Sequence, residues 1–145
     1  MDKLNVNLMA FDLDDTLLND ERKISDKNVE VLRRCAQRGI YIVLCSGRAE
    51  DAIRPFVSRL NIAALKSGRF VISTNGCSIF DMHERKQIFK RMVSPDILKY
   101  VHSEAQKMGF ETEVYTDDVI YCSKKNEWTT KDASMCGLKL VEPEN

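Results

Sequence analysis

The run Leu8-Met9-Ala10-Phe11 stops on Asp12, and Asp14 and Asp15 come at once after it. Near-continuous apolar residues of this kind read as a strand covered on both faces, the habit of parallel sheets, so Leu4 to Phe11 is predicted as the first strand. Acids at its carboxyl end then stand where open α/β sheets bind their ligands. Residues two apart in an extended chain face the same way, which lets Asp12 and Asp14 reach one site.

The pattern beyond Asp20 supports an α/β fold. Ser25 can cap a helix from about Asp26 to Arg38, with Val29, Leu32 and Ala36 on one stripe and Gly39 as its stop. Ile40 to Cys45 reads as a second buried strand ending in Ser46-Gly47-Arg48. Ala49 to Leu60 is helical in pattern, with Pro55 marking a kink or boundary. This alternation predicts a right-handed parallel sheet. After a third strand, Phe70 to Thr74, the turn signal Asn75-Gly76 and two short strands (Cys77 to Asp81, Gln87 to Val93) suggest antiparallel pairing. Ser94, Pro95 and Gly109 punctuate another helix with a stripe of Ile97, Tyr100, Val101, Ala105 and Met108. Glu111 to Tyr115 and Val119 to Cys122 form a hairpin around Thr116 to Asp118. A boundary is therefore placed near 81, with an α/β core at 1–81 and an α+β module at 82–145. The segment from Ser123 onward has no pattern that assigns it structure.

Composition narrows the partners. The 145 residues carry 22 basic and 22 acidic side chains, net zero, with a pI near 6.7, which argues against a nucleic acid or an anionic membrane as the ligand. Five scattered cysteines without a CxxC pair and two isolated histidines, His83 and His102, suggest neither a disulfide framework nor a zinc site. The first residues lack a secretory pattern and no apolar run has membrane-spanning length, so a cytoplasmic location is the expectation.

Two carboxylates in one pocket repel. They either hold a cation between them or divide the work of nucleophile and acid–base. An aspartate attacking phosphorus would split a hard hydrolysis into two easier steps, and Mg2+ suits oxygen ligands of this type. Against this, acids after a strand commonly cap a turn, and Asp14, Asp15 or Thr16 could do only that. Ser46-Gly47 at the second strand's end supplies a hydroxyl and an unobstructed amide that could bind phosphate.

FDLDDTLLND at 11–20, VLCSGR at 43–48 and ISTNG at 72–76 together resemble the haloacid dehalogenase superfamily of phosphotransferases, and within it the Cof-type members with a large cap module. The resemblance implies a phosphomonoesterase acting on a small phosphorylated metabolite, such as a sugar phosphate, through an aspartyl phosphate with Mg2+. Asp12 would be the nucleophile and a metal ligand. Asp14 would be the acid and base and lend its backbone carbonyl to the metal, while Thr16, Ser46 and Gly47 would hold the loop and the phosphoryl oxygens. Arg48 and Asn75 could approach substrate or brace a loop.

The family also supplies a lysine and a Gly-Asp-x-x-x-Asp segment after its cap, and neither is found here. The expectation is then a poor phosphatase with weak Mg2+ binding. Its first strand is expected to be left as an apolar edge, free to pair with a second copy or a complementing second half. The competing readings are a non-catalytic fragment acting as an interaction or regulatory module, and a phosphorylation-receiver domain, which the Asp12-x-Asp14-x-Thr16 spacing disfavours. Cys45 lacks the arginine that a cysteine phosphatase needs, and glycine-rich nucleotide loops are absent.

Overall fold

The computed structural model describes residues 5–143, which fall into two compact units divided after Lys90. The first unit is built on a sheet of order β1-β2-β3-β4-β5, formed by Leu8–Asp12, Tyr41–Cys45, Phe70–Ser73, Ser78–Asp81 and Lys86–Lys90. The first three strands run parallel, and β4 and β5 are antiparallel additions. Because β5 hydrogen-bonds to β4, the first unit extends to Lys90 rather than ending at 81.

Two helices cover the sheet. In α1, Asp26–Gln37, Ser25 Oγ accepts from the Asn28 amide at 3.2 Å, and the buried stripe is Val29, Leu32 and Ala36 as predicted. In α2, Glu50–Leu60, Pro55 neither ends nor divides the helix. The proline removes one donor near the helix start, while Ile53, Val57 and Leu60 are buried against the core, Ile53 completely. Their burial, worth about 1.5–3 kcal/mol for each large side chain, outweighs one lost hydrogen bond. Arg33 on α1 donates from Nε to the Leu60 carbonyl at 2.7 Å, giving an orphan carbonyl at the end of α2 a partner. The loop before β3 is tightly wound. Leu65 N donates to Ile62 O at 2.9 Å and Gly68 N to Leu65 O at 3.0 Å, and Ile42 N on β2 donates to Ser67 O at 2.8 Å.

One expectation of burial is corrected, at β1. That strand is not covered on both faces: among the described residues it pairs only with β2, Leu8 is 51 % exposed, and Met9 and Phe11 are the partly buried alternate residues. Among the described residues it is an edge strand, so its continuous apolar run keeps one unpaired margin. Residue Leu4, the predicted start of that strand, lies outside the described residues.

The second unit contains α3 (Pro95–Lys107), a three-stranded sheet of β6 (Glu113–Tyr115), β7 (Val119–Cys122) and β8 (Lys139–Val141), and α4 (Glu127–Cys136). Ser94 Oγ caps α3 by accepting from Ile97 N at 3.3 Å, with Pro95 in its first turn. The apolar stripe on α3 is unburied, with Tyr100 and Met108 exposed. α4 and β8 lie where no structure was predicted. Asn126 caps α4 with a reciprocal bond from Thr129, and Gly137 at φ 67 ends it. Among the described residues no helix is long and apolar enough to cross a membrane.

Candidate active site

The register aligns Asp12 on β1 with Cys45 on β2, and Cys45 with Ile72 on β3. Three carboxyl ends of parallel strands therefore finish at one level, and the segments that leave them meet.

The segment after β1 makes one wide turn, closed by Leu18 N donating to Leu13 O at 2.9 Å. Buried Leu13, Leu17 and Leu18 anchor it, so Asp12 and Thr16 are left exposed and Asp14 partly so. Asp15 adopts φ 57 within it, a left-handed conformation that aspartate tolerates better than most residues. Thr16 Oγ1 donates to Asp12 Oδ2 at 3.2 Å, which fixes one carboxylate oxygen and leaves the other for chemistry.

The loops after β2 and β3 are stitched together. Asn75 N donates to Ser46 O at 3.3 Å, and Thr74 N to Arg48 O at 2.9 Å. A Cβ on Gly47 would sit 3.0 Å from Asn75 Oδ1, so the missing side chain is what lets Asn75 come so near. Ser46 is buried and its Oγ accepts from Arg48 N at 3.2 Å. With that lone pair used, the hydroxyl proton remains to be donated to an anionic oxygen.

Arg48 is the residue that sequence reasoning left undecided and the structure engages fully. Its Nε donates to Asp14 Oδ2 at 2.9 Å and its Nη2 to Asp14 Oδ1 at 2.6 Å. The side chain is 11 % exposed against 44 % for Asp14, and its guanidinium lies 5.6 Å from the centre of the Phe56 ring. This fork holds the Asp14 carboxyl below its ordinary value; partial burial opposes the effect, and the charges of Arg48 and Arg22 reinforce it. Arg22 reaches this field from a tight reversal between Leu18 and Ile24, which pair as an isolated bridge. Nothing in its sequence context marked it. Arg48 did carry a signal, since it comes directly after Ser46-Gly47. Next to Asp12, burial and then the Asp12 charge push the Cys45 thiol up, which keeps it protonated and unreactive.

For a metal, the chain offers the free oxygen of the Asp12 carboxylate and the main-chain carbonyl of Asp14, since both Asp14 side-chain oxygens are taken by Arg48. No group of three or more His, Cys, Asp or Glu side chains is gathered for an ion among the described residues. One carboxylate and a carbonyl fit Mg2+, which takes few protein ligands and completes its octahedron with water and phosphate oxygens.

Residues 9–140 match the haloacid dehalogenase-like hydrolase family. The chain is 31 % identical over 143 residues to the phosphatase YwpJ of Bacillus subtilis, covering 96 % of this chain and 46 % of that protein. It is 36 % identical over 78 residues to a 5-amino-6-(5-phospho-D-ribitylamino)uracil phosphatase, YcsE, of the same organism, covering 54 % of this chain and 29 % of that one. A haloacid dehalogenase-like hydrolase from Bacteroides thetaiotaomicron shares the fold with a TM-score of 0.84 at 24 % identity, over 97 % of this chain and 52 % of its own. The chain thus spans about half the length of the relatives it matches from end to end.

Proposed function

Since the chain belongs to the haloacid dehalogenase-like hydrolases, we propose that it is a phosphomonoester hydrolase, or the nucleophile-bearing portion of one. The substrate is a small phosphorylated metabolite of the sugar phosphate class. The observation that carries this reading is the placement of Asp12, exposed at the end of β1 and held by Thr16, in register with the strand end that presents Ser46 and Gly47. The substrate class is supported by the relative named for a phosphorylated ribityl compound.

In this reading the free Asp12 oxygen attacks phosphorus on the side opposite the ester oxygen. The P–O ester bond breaks, and the departing oxygen takes a proton from Asp14. Asp14 then removes a proton from water as the water oxygen attacks the aspartyl phosphate, releasing inorganic phosphate and restoring Asp12. Ser46 and the Gly47 amide steady the phosphoryl oxygens. When bound, Mg2+ at Asp12 and the Asp14 carbonyl offsets the repulsion between the anionic ester and the anionic nucleophile. Arg48 sets the timing of Asp14: its fork favours the ionised carboxyl that activates water, and an arriving phosphate dianion competes for the same guanidinium, freeing Asp14 to carry a proton.

The test is to incubate the purified chain with a phosphate ester and Mg2+, trap the acyl phosphate by borohydride reduction and locate it by peptide mapping. The modification is expected on the peptide containing Asp12 and absent from Asp12→Asn. Modification elsewhere, or its persistence in Asp12→Asn, overturns the assignment. The second reading, a non-catalytic module, draws on the engagement of both Asp14 oxygens by Arg48; it requires that inorganic phosphate binds while no peptide is modified.

A further inference from the structure

Glu113 and Tyr115 lie two residues apart on β6 and so share one face of the second unit's sheet. The Tyr115 hydroxyl makes two contacts there, with Glu113 Oε2 at 3.2 Å and with Asp132 Oδ2 on α4. A phenol has a single proton to donate, and an ionised carboxylate can only accept. If both acids were ionised, one of these contacts would set lone pair against lone pair. One additional proton removes the conflict: an acid donates to the phenol oxygen while the phenol donates to the other acid.

Glu113 is the acid suited to carry that proton. Its Oε1 is buried with no hydrogen-bond partner among the described residues, which is costly for half of an anionic carboxylate and cheaper for the carbonyl of a neutral acid. Asp132 is better provided, since its other oxygen, Oδ1, lies 3.9 Å from Cys136 Sγ. Burial and then the Asp132 charge push the Glu113 carboxyl up, against the opposing hydrogen bond of Tyr115; burial and Asp132 likewise raise the Tyr115 hydroxyl. Cys136 faces the cluster from α4. From β7 comes Cys122, the register partner of Glu113, a thiol that burial pushes up and on which the charges of Glu142 and Lys125 also act. Tyr115 is 40 % exposed, so the cluster borders water.

We propose that Glu113, Tyr115 and Asp132 form a proton-operated latch between β6 and α4, closed when Glu113 carries a proton and weakened when it ionises. A carboxyl raised in the folded state binds its proton more tightly there than in the unfolded chain. Its contribution to stability is therefore full below the ordinary glutamate value and is lost as pH rises through the raised folded value. The device acts within the second unit and is independent of any phosphatase activity.

The experiment is a carbon-13 carboxyl titration of the intact chain by NMR, with thermal melts across the same pH series. The Glu113 midpoint is expected above the ordinary glutamate value of 4.5 and is expected to fall toward it in Asp132→Asn. Glu113→Gln places an NH2 where the acid O–H stood, so its melting temperature should vary less with pH than that of the parent. A Glu113 midpoint at or below 4.5 in the parent chain, one unmoved by Asp132→Asn, or a Glu113→Gln profile parallel to the parent's would overturn the latch. Should a variant fail to fold, the parent's titration decides.

Discussion

Substituting Gly68 by alanine tests how tightly the loop before β3 is wound. A Cβ there would fall 2.0 Å from the Ile62 carbonyl oxygen, 2.5 Å from its carbon and 2.7 Å from the Ile62 Cβ. Carbon–oxygen contacts in proteins settle at about 3.3–3.6 Å, so the two segments must part by more than an ångström. The obstacle is backbone, and the Ile62 oxygen already accepts from Leu65 N while Leu65 O accepts from Gly68 N. Forcing a methyl into a packed site costs about 1–3 kcal/mol, and loss of one turn hydrogen bond adds about 0.5–1.5 kcal/mol. Reduced freedom of the unfolded chain returns about 0.4–1 kcal/mol. The expected net loss is about 0.5–4 kcal/mol, read as a lower urea midpoint with unchanged slope. Gly47→Ala is the control: its new Cβ meets the movable Asn75 side chain at 3.0 Å, so it should disturb the site more than the stability. If Gly68→Ala unfolds within about 0.5 kcal/mol of the parent, the span of ordinary surface substitutions, the loop is not wound as described.

Further expectations concern other parts of the molecule. Asp81 is buried and accepts from Arg69 Nε at 2.7 Å and from the His83 and Glu84 amides at 3.0 Å each. Burial pushes its carboxyl up, but the hydrogen bonds from Glu84, Arg69 and His83 together prevail and leave it lowered. Its stabilisation is thus present above the unfolded carboxyl value and lost as pH falls through the lowered folded one; circular dichroism in acid should show Asp81→Asn less stable than the parent near neutrality, with the gap closing as pH falls. Sedimentation at micromolar concentration should detect self-association through β1, weakened by Leu8→Lys, and a strict monomer would count against that pairing.

Much of this architecture was legible because it rests on local rules. The α1 stripe and its Ser25 cap, the Ser94-Pro95 start of α3 and the Asn75-Gly76 turn are encoded within a few residues of where they act. α4 was missed because it buries Thr129 and Ala133, side chains too small or too polar to write an apolar stripe; its one legible mark was the Asn126 cap. Burial of β1 was overestimated because an apolar run reports which faces seek cover, while cover depends on neighbours elsewhere. At the site, the aspartates and Ser46 announced themselves through strand ends. The Arg48 fork to Asp14 spans two separate loops, and no spacing rule could specify it.

The position of β1 at the sheet margin also bears on biosynthesis. Its partner among the described residues, β2, is parallel to it and lies beyond the whole of α1, so their pairing cannot begin while the nascent chain is still threading that crossover. At a translation rate of about 5–20 residues per second, Leu8 to Phe11 emerge seconds ahead of the strand that shelters one flank. A ribosome-associated chaperone would meet that greasy tetrad before β2 has been made.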